Sequence, residues 1–237
     1  MSWIFLPPHP SLADLLGFPL IPRPFRCYDK IQSMKKIPKP EECFLLLQRY
    51  GVPPNVVEHS RKVYQVAMFL CKELNLLDEG LEPGLVEAAS LLHDIAKVAS
   101  FKTGESHSQA GARLLQEQGF DEVAEIVRQH VVLDSGADHG RVTEAALVNY
   151  ADKRVQHTRV VSLAERFEDL RERYGKTPEA RAWLASLEGE NRLLEARIFQ
   201  KIPILPESLA RIPDCREKSI SGRPPGSGEN TVLRGIK

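Results

Sequence analysis

The chain has 237 residues, 32 Lys+Arg against 32 Asp+Glu, a hydrophobic fraction of 42% and a charged fraction of 27%. This length fits one domain with appendages, since domains commonly run about 100–200 residues, and the apolar fraction suffices for a core, which excludes wholesale disorder and a collagen-like fold. A formal charge of zero gives no global field for a polyanion or an anionic membrane, so a general nucleic-acid coat protein is disfavoured.

Residues 1–39 hold Pro7, Pro8, Pro10, Pro19, Pro22, Pro24 and Pro38, a density that removes helix hydrogen bonds and blocks sheet ladders, so a proline-rich arm without a stable element is expected. The apolar stretch Trp3-Ile4-Phe5-Leu6 stops at Pro7, too short for a secretory signal, and no apolar run reaches the roughly 18 residues of a membrane span. Two readings of the arm stand open. Translation begins at Met34, just ahead of the first helix signal, or the arm docks Trp3, Ile4, Phe5 and Leu6 on a partner or on the domain. Cys27, Cys43, Cys71 and Cys215 lie far apart with no CxxC pair, which reads as a reducing, cytoplasmic setting.

From Pro40 the pattern turns helical, with Glu41 and Glu42 at the positive end and Phe44, Leu47 and Tyr50 at helical spacing before Gly51. A second helix is predicted from about Asn55 to Asn75, its stripe of Val56, Val63, Val66, Ala67 and Leu70 also carrying His59. A third follows Glu82-Pro83-Gly84, and its centre from Ala88 to Ala96 is apolar nearly all round, interrupted by His93 and Asp94. Ser106 and Gln109 form a capping-box pattern for a fourth helix ending at Gly119, with His107 in its first turn. Asp121 can cap a fifth, where Val123, Ile126, Val127 and His130 share a face. Thr143 can cap a sixth, where Ala145, Val148, Asp152 and Val155 line one side. Leu163, Phe167 and Leu170 precede Gly175, and Thr177-Pro178 opens a long helix through Trp183, Leu184, Leu187, Leu194 and Ile198. The expected fold class is all-α, with a domain over 40–174, a helix over 175–202 packing on it and a flexible tail over 203–237.

His59, His93, Asp94, His107, His130 and Asp152 each fall on or near the inward face or end of a different or adjoining helix. Buried carboxylates are costly unless paired, and two aspartates with four histidines have a natural common partner in a divalent metal. Taken singly, His59 reads as an ordinary core histidine. His93 and Asp94 are adjacent, hence about 100° apart on a helix, and both reach one site only near a helix crossing; a buried ion pair is the other reading.

His59, the run Leu91-Leu92-His93-Asp94-Ile95-Ala96-Lys97, then His107, His130 and Asp152 together resemble the HD-domain metal-dependent phosphohydrolase superfamily, most of all its compact HDIG-type branch. The resemblance covers about Pro40 to Tyr174, including Glu58-His59-Ser60, His107-Ser108-Gln109-Ala110-Gly111-Ala112 and Tyr150-Ala151-Asp152-Lys153. It implies a helical bundle with a metal site between core helices. His59, His93, Asp94 and Asp152 are then ligands of one ion, and His107 and His130 ligands of a second, with Asp94 bridging the two. The implied cofactors are two divalent ions per chain, from among manganese, iron, cobalt, nickel or zinc.

The implied activity is hydrolysis of a nucleotide-like phosphomonoester, phosphoanhydride or small phosphodiester by a metal-activated hydroxide, with Asp94 and Lys97 in catalytic roles. Lys97, four residues after His93, can neutralise a phosphate oxygen or be a solvated helix-end lysine. In the basic stretch Lys153, Arg154, His157 and Arg159 after Asp152, one or more, Arg154 and Arg159 first, can receive the substrate's phosphate tail or nucleotide or be ordinary surface charge. A small phosphorylated molecule is the expected partner, with no membrane and nucleic acid disfavoured; the sequence does not fix the oligomeric state. The chain has no GYP triad after His130 and no acidic pair after Asp94, which by resemblance argues against cyclic-dinucleotide phosphodiesterases and alarmone hydrolases. Absence of a P-loop and of a GxGxxG element removes nucleotide-driven and dinucleotide redox chemistry. The alternative from another class is a non-catalytic HD module that binds metal or nucleotide and signals to a partner; a role in RNA processing is a third.

Overall fold

A computed structural model describes residues 36–134 and 140–213. The proline-rich arm, the start at Met34, Cys27, Cys215, residues 135–139 and the tail from residue 214 lie outside the described residues.

The fold is all-α. Helix α1 (Pro40–Arg49) has proline at its first position, Glu41 and Glu42 in its first turn and Arg49 in its last, each matched to the helix dipole. Helix α2 (Pro54–Asn75) buries His59, Val63, Val66, Ala67, Leu70 and Leu74 at steps of four, three, one, three and four, and this stripe packs on α3 (Pro83–Leu92) and α7 (Glu144–Lys153). Seven of the ten α3 residues are buried, Leu85, Val86 and Ala88 to Leu92, which makes it the central helix. Helix α4 (Lys97–Thr103) follows, then α5 (His107–Glu117), which packs on α6 (Asp121–Arg128). A Cβ at Gly111 would meet Val127 Cγ1 at 3.2 Å and Ile95 Cγ2 at 3.5 Å, so this glycine sets how closely α5 lies on the segment after His93-Asp94.

Thr143 caps α7 by accepting from Ala146 N at 3.2 Å, as its sequence position predicts. A two-residue antiparallel hairpin, β1 (Val155–Gln156) and β2 (Arg159–Val160), leads to α8 (Leu163–Tyr174), which opens with a full capping box of Ser162 and Glu165. Helix α9 (Pro178–Lys201) packs on α8 and α7 through Leu187, Leu194 and Ile198.

Several expectations need correction. The third helix does not run through His93-Asp94-Ile95-Ala96: α3 ends at Leu92, the chain turns, and α4 begins at Lys97. Ser106 precedes α5 without a side-chain cap, its hydroxyl lying 2.9 Å from that of Ser108, and Phe120 rather than Asp121 occupies the cap position of α6. The tail does not begin at 203, because Pro206–Arg211 form a 3-10 turn whose Leu209 is fully buried. The hairpin had no clear signal, since two-residue strands are too short for an alternating pattern.

Candidate metal centre

The break after α3 solves the problem that adjacency poses. On a continuing helix His93 and Asp94 would diverge, but in the turn both reach the place where α2, α5, α7 and the end of α6 meet. His93 is 0% exposed and Asp94 2%.

Two triads of donor atoms form there: His59, His93 and Asp152 in one, Asp94, His107 and His130 in the other, each with its donor atoms within 4.8 Å of one another. The Asp94 carboxylate lies between them. Its Oδ2 is 3.4 Å from His93 Nε2 and 3.9 Å from His59 Nε2, while its Oδ1 is 3.5 Å from His107 Nε2 and 3.8 Å from His130 Nε2. Asp152 Oδ1 faces the first set, 3.1 Å from His59 Nε2 and 3.6 Å from His93 Nε2. All six ligand candidates from the sequence are thus brought together.

Backbone carbonyls orient the rings. Nδ1 of His59 donates to His157 O at 2.9 Å, that of His93 to Ser90 O at 2.8 Å and that of His130 to Val127 O at 2.7 Å. A carbonyl only accepts, so these Nδ1 atoms carry hydrogens and the neutral rings turn Nε2 lone pairs inward. His157 holds the unusual φ of 55° in the hairpin turn that supplies its carbonyl. Lone pairs of His59 and His93 that face carboxylate oxygens repel them unless a cation lies between, and buried His93 Nε2 has no hydrogen-bond partner. The donor set therefore fits divalent metal at both triads.

The charges agree. Burial acts to raise the Asp94 carboxyl, but His93 and Lys97 beside it hold it well below the usual carboxylate range. Asp152 is likewise held low against its burial, chiefly by Lys153. Burial, with His93 nearby, pushes His130 down to about 3, and burial also lowers His107, so both are neutral bases at physiological pH. For His93 burial is outweighed by Asp94 and Asp152, which raise it.

Lys97 Nζ binds Asp94 Oδ2 at 2.6 Å. It does so as the first residue of α4, three positions beyond Asp94, rather than along one helix face with His93 as its spacing suggested. Arg154 is corrected outright: it is 3% exposed, and its guanidinium binds Tyr150 Oη, Glu195 Oε2, Val161 O and Pro206 O, tying α7 to α9 and the last turn. Four of its five N–H donors are taken inside the protein, and its burial keeps the fifth from a substrate phosphate. Arg159 is exposed on β2, two residues beyond His157.

Two residues of the site, Asn149 and Arg166, went unnoticed in the sequence, and Lys153, a candidate for the substrate's phosphate there, faces inward instead. Lys153 is 4% exposed and its Nζ donates to Asp152 Oδ2 at 2.9 Å and His130 O at 3.0 Å. Asn149 Nδ2 donates to the same His130 carbonyl at 3.0 Å, and its place three residues before Asp152 on α7 was the available signal. Arg166 on α8 lies near enough for its charge to oppose protonation of Lys97. Lys153→Met is expected to destabilise the metal-free protein by about 3 kcal/mol, because Asp152 becomes an unpaired buried charge, and by less when metal compensates it. Urea unfolding with and without chelator checks this.

Among the described residues no helix is long and apolar enough to cross a membrane. Cys43 and Cys71 are free and buried, and burial pushes their thiols up to about 12 and about 11, so neither is a ready nucleophile.

Ribonuclease Y of Aquifex aeolicus is 36% identical over 105 residues, covering 44% of this chain and 17% of that protein. The tRNA (cytidine(56)-2'-O)-methyltransferase of Thermoplasma volcanium is 32% identical over 101 residues, 42% of this chain and 28% of that protein. The protein of the same name from Picrophilus torridus is 25% identical over 145 residues, 56% of this chain and 40% of that protein. The chain thus spans less than half the length of these relatives. No solved structure matches it. The HD domain family matches residues 56–202, a stretch that contains all six ligand candidates and the three carbonyls that orient them, and the chain belongs to the HD domain family.

Proposed function

We propose that the protein is a metal-dependent phosphohydrolase that cleaves a nucleotide-like phosphomonoester, phosphoanhydride or small phosphodiester. The observation that carries this reading is the position of Asp94, one carboxylate whose two oxygens face two separate triads. When bound, a pair of divalent ions supplies a hydroxide nucleophile at neutral pH and positive charge at the phosphoryl oxygens. His59, His93 and Asp152 would hold one ion, His107 and His130 the other, with Asp94 shared.

The protein's own contribution is orientation and charge. Lys97 stays charged despite its burial because Asp94 and Asp152 face it, and it stands at the open edge of the centre, where it can bind a non-bridging phosphate oxygen. Arg166 adds positive charge on that side, and Arg159, exposed beyond the hairpin turn, can take a more distant phosphate of the substrate.

The test is a hydrolysis screen of metal-supplemented protein over nucleotides, dinucleotide polyphosphates and small phosphodiesters. Turnover abolished by chelation is expected. Metal and nucleotide binding with no hydrolysis of any of them would favour the non-catalytic module instead. A second reading, hydrolysis within RNA, is supported by the names of the relatives, a ribonuclease and a tRNA methyltransferase. Cleavage of short RNA with salt-sensitive binding would select it.

A further inference from the structure

One helical turn beyond Lys97 stands an aromatic ring that has no task in the core. His59, His93, Asp94, His130 and Asp152 are all buried, whereas the side chains of His107 and Lys97 are 30% and 35% exposed. The centre therefore opens toward α4 and the start of α5. Phe101 lies on α4 four residues after Lys97, on the same face, and is 78% exposed. Helical side chains lean toward the N-terminus, which carries the ring over the turn that starts at Lys97. Val98, 39% exposed, extends the apolar strip. Among the described residues the ring thus lies one helical turn beyond Lys97, on the side where the centre is most exposed, and it gains little from burial in the fold.

We propose that Phe101 is the platform on which a nucleobase of the substrate stacks, with the scissile phosphate at Lys97 and the metal ligands. The inference rests on the hydrolase reading and narrows it to phosphoesters that carry a base. The helix rises about 6 Å from residue 97 to 101, the scale of the ribose that separates a base from its phosphate. Every base offers a π-face, so Phe101 distinguishes nucleotides from base-free sugar phosphates without choosing among bases. Lys97 reads the charge and Phe101 the ring.

The experiment has two arms. Phe101→Trp, with manganese present, is titrated with adenosine monophosphate, tetraadenylate and ribose 5-phosphate, and its emission is compared with that of the wild-type protein, which already holds Trp3 and Trp183. Saturable quenching by at least one adenine ligand and none by ribose 5-phosphate is expected. In the second arm Phe101→Ala raises KM for the best nucleotide substrate by about tenfold with kcat unchanged, and Phe101→Tyr restores it. Absence of quenching by both adenine ligands, or an unaltered KM in Phe101→Ala, would overturn the proposal. The fluorescence arm needs no turnover, so a protein that stacks adenine but hydrolyses nothing fails the hydrolase reading alone, and one that hydrolyses nucleotides with unaltered KM fails the stacking alone.

Discussion

Asp94→Asn is expected to empty both metal positions and to lower kcat/KM on any substrate by at least about 10³-fold. The reason is geometric and electrostatic together. Oδ1 faces His107 and His130 while Oδ2 faces His93 and His59, so one charged group serves both triads. An amide of the same size keeps a single oxygen, carries no charge and points an NH₂ at one of the two positions. The substitution also leaves Lys97 without its partner. Asp94 is held below its ordinary pKa, so its contribution to stability is present above about pH 3.9 and is lost only as pH falls through the lower folded value. Asp94→Asn removes that contribution at neutral pH, and the metal-free variant should unfold at lower urea than the chelated wild type. Metal content, turnover and far-ultraviolet dichroism of the same preparation separate loss of metal from loss of fold. A folded variant that keeps two ions would contradict the bridging role.

His107→Ala and His130→Ala are each expected to reduce metal from about two to about one per chain, with rates down about 10²-fold, whereas His59→Ala should deplete the other position. The two histidines differ in surroundings. His107 is partly exposed and its loss leaves a gap that water can fill; His130 is fully enclosed, and its backbone carbonyl is held by Asn149 and Lys153. His130 also predicts a pH signature in the metal-free protein. Its folded ring resists protonation until about pH 3, while the unfolded chain takes up the proton near pH 6.5. Stability from this ring is therefore complete above about pH 6.5 and is lost as pH falls toward 3. Unfolding of chelated wild type across that window should show stability rising with pH, with a shallower slope in His130→Ala. Two ions and full rate in both alanine variants would make these histidines mere core or edge residues.

The candidate ligand set was legible because most of its members interrupt apolar stretches at positions that should be buried, His107 in the first turn of α5 being the exception. His59 on α2 and Asp152 on α7 show this most clearly, since both replace a hydrophobic residue at a step of three or four. What periodicity could not convey is where a helix ends. The run Ala88 to Ala96 has no glycine or proline to stop it, yet the chain turns at His93, and that turn is what lets His93 and Asp94 serve one centre. The error about Arg154 has a similar origin. Sequence places it two residues after a ligand candidate, but at the end of α7 it turns to Tyr150 on its own helix and to Glu195, which only the return of α9 brings there. Lys153, beside it, faces inward and neutralises Asp152. The contribution of backbone carbonyls, as at Ser90, Val127 and His157, carries no side-chain signature at all.

The most direct test of a two-ion centre is the elemental content of freshly purified protein, measured by mass spectrometry and repeated after chelation and reconstitution. About two divalent ions per chain, lost on chelation and regained with turnover, are predicted. Protein that holds no metal and cannot be reconstituted with manganese, iron, cobalt, nickel or zinc would contradict the account.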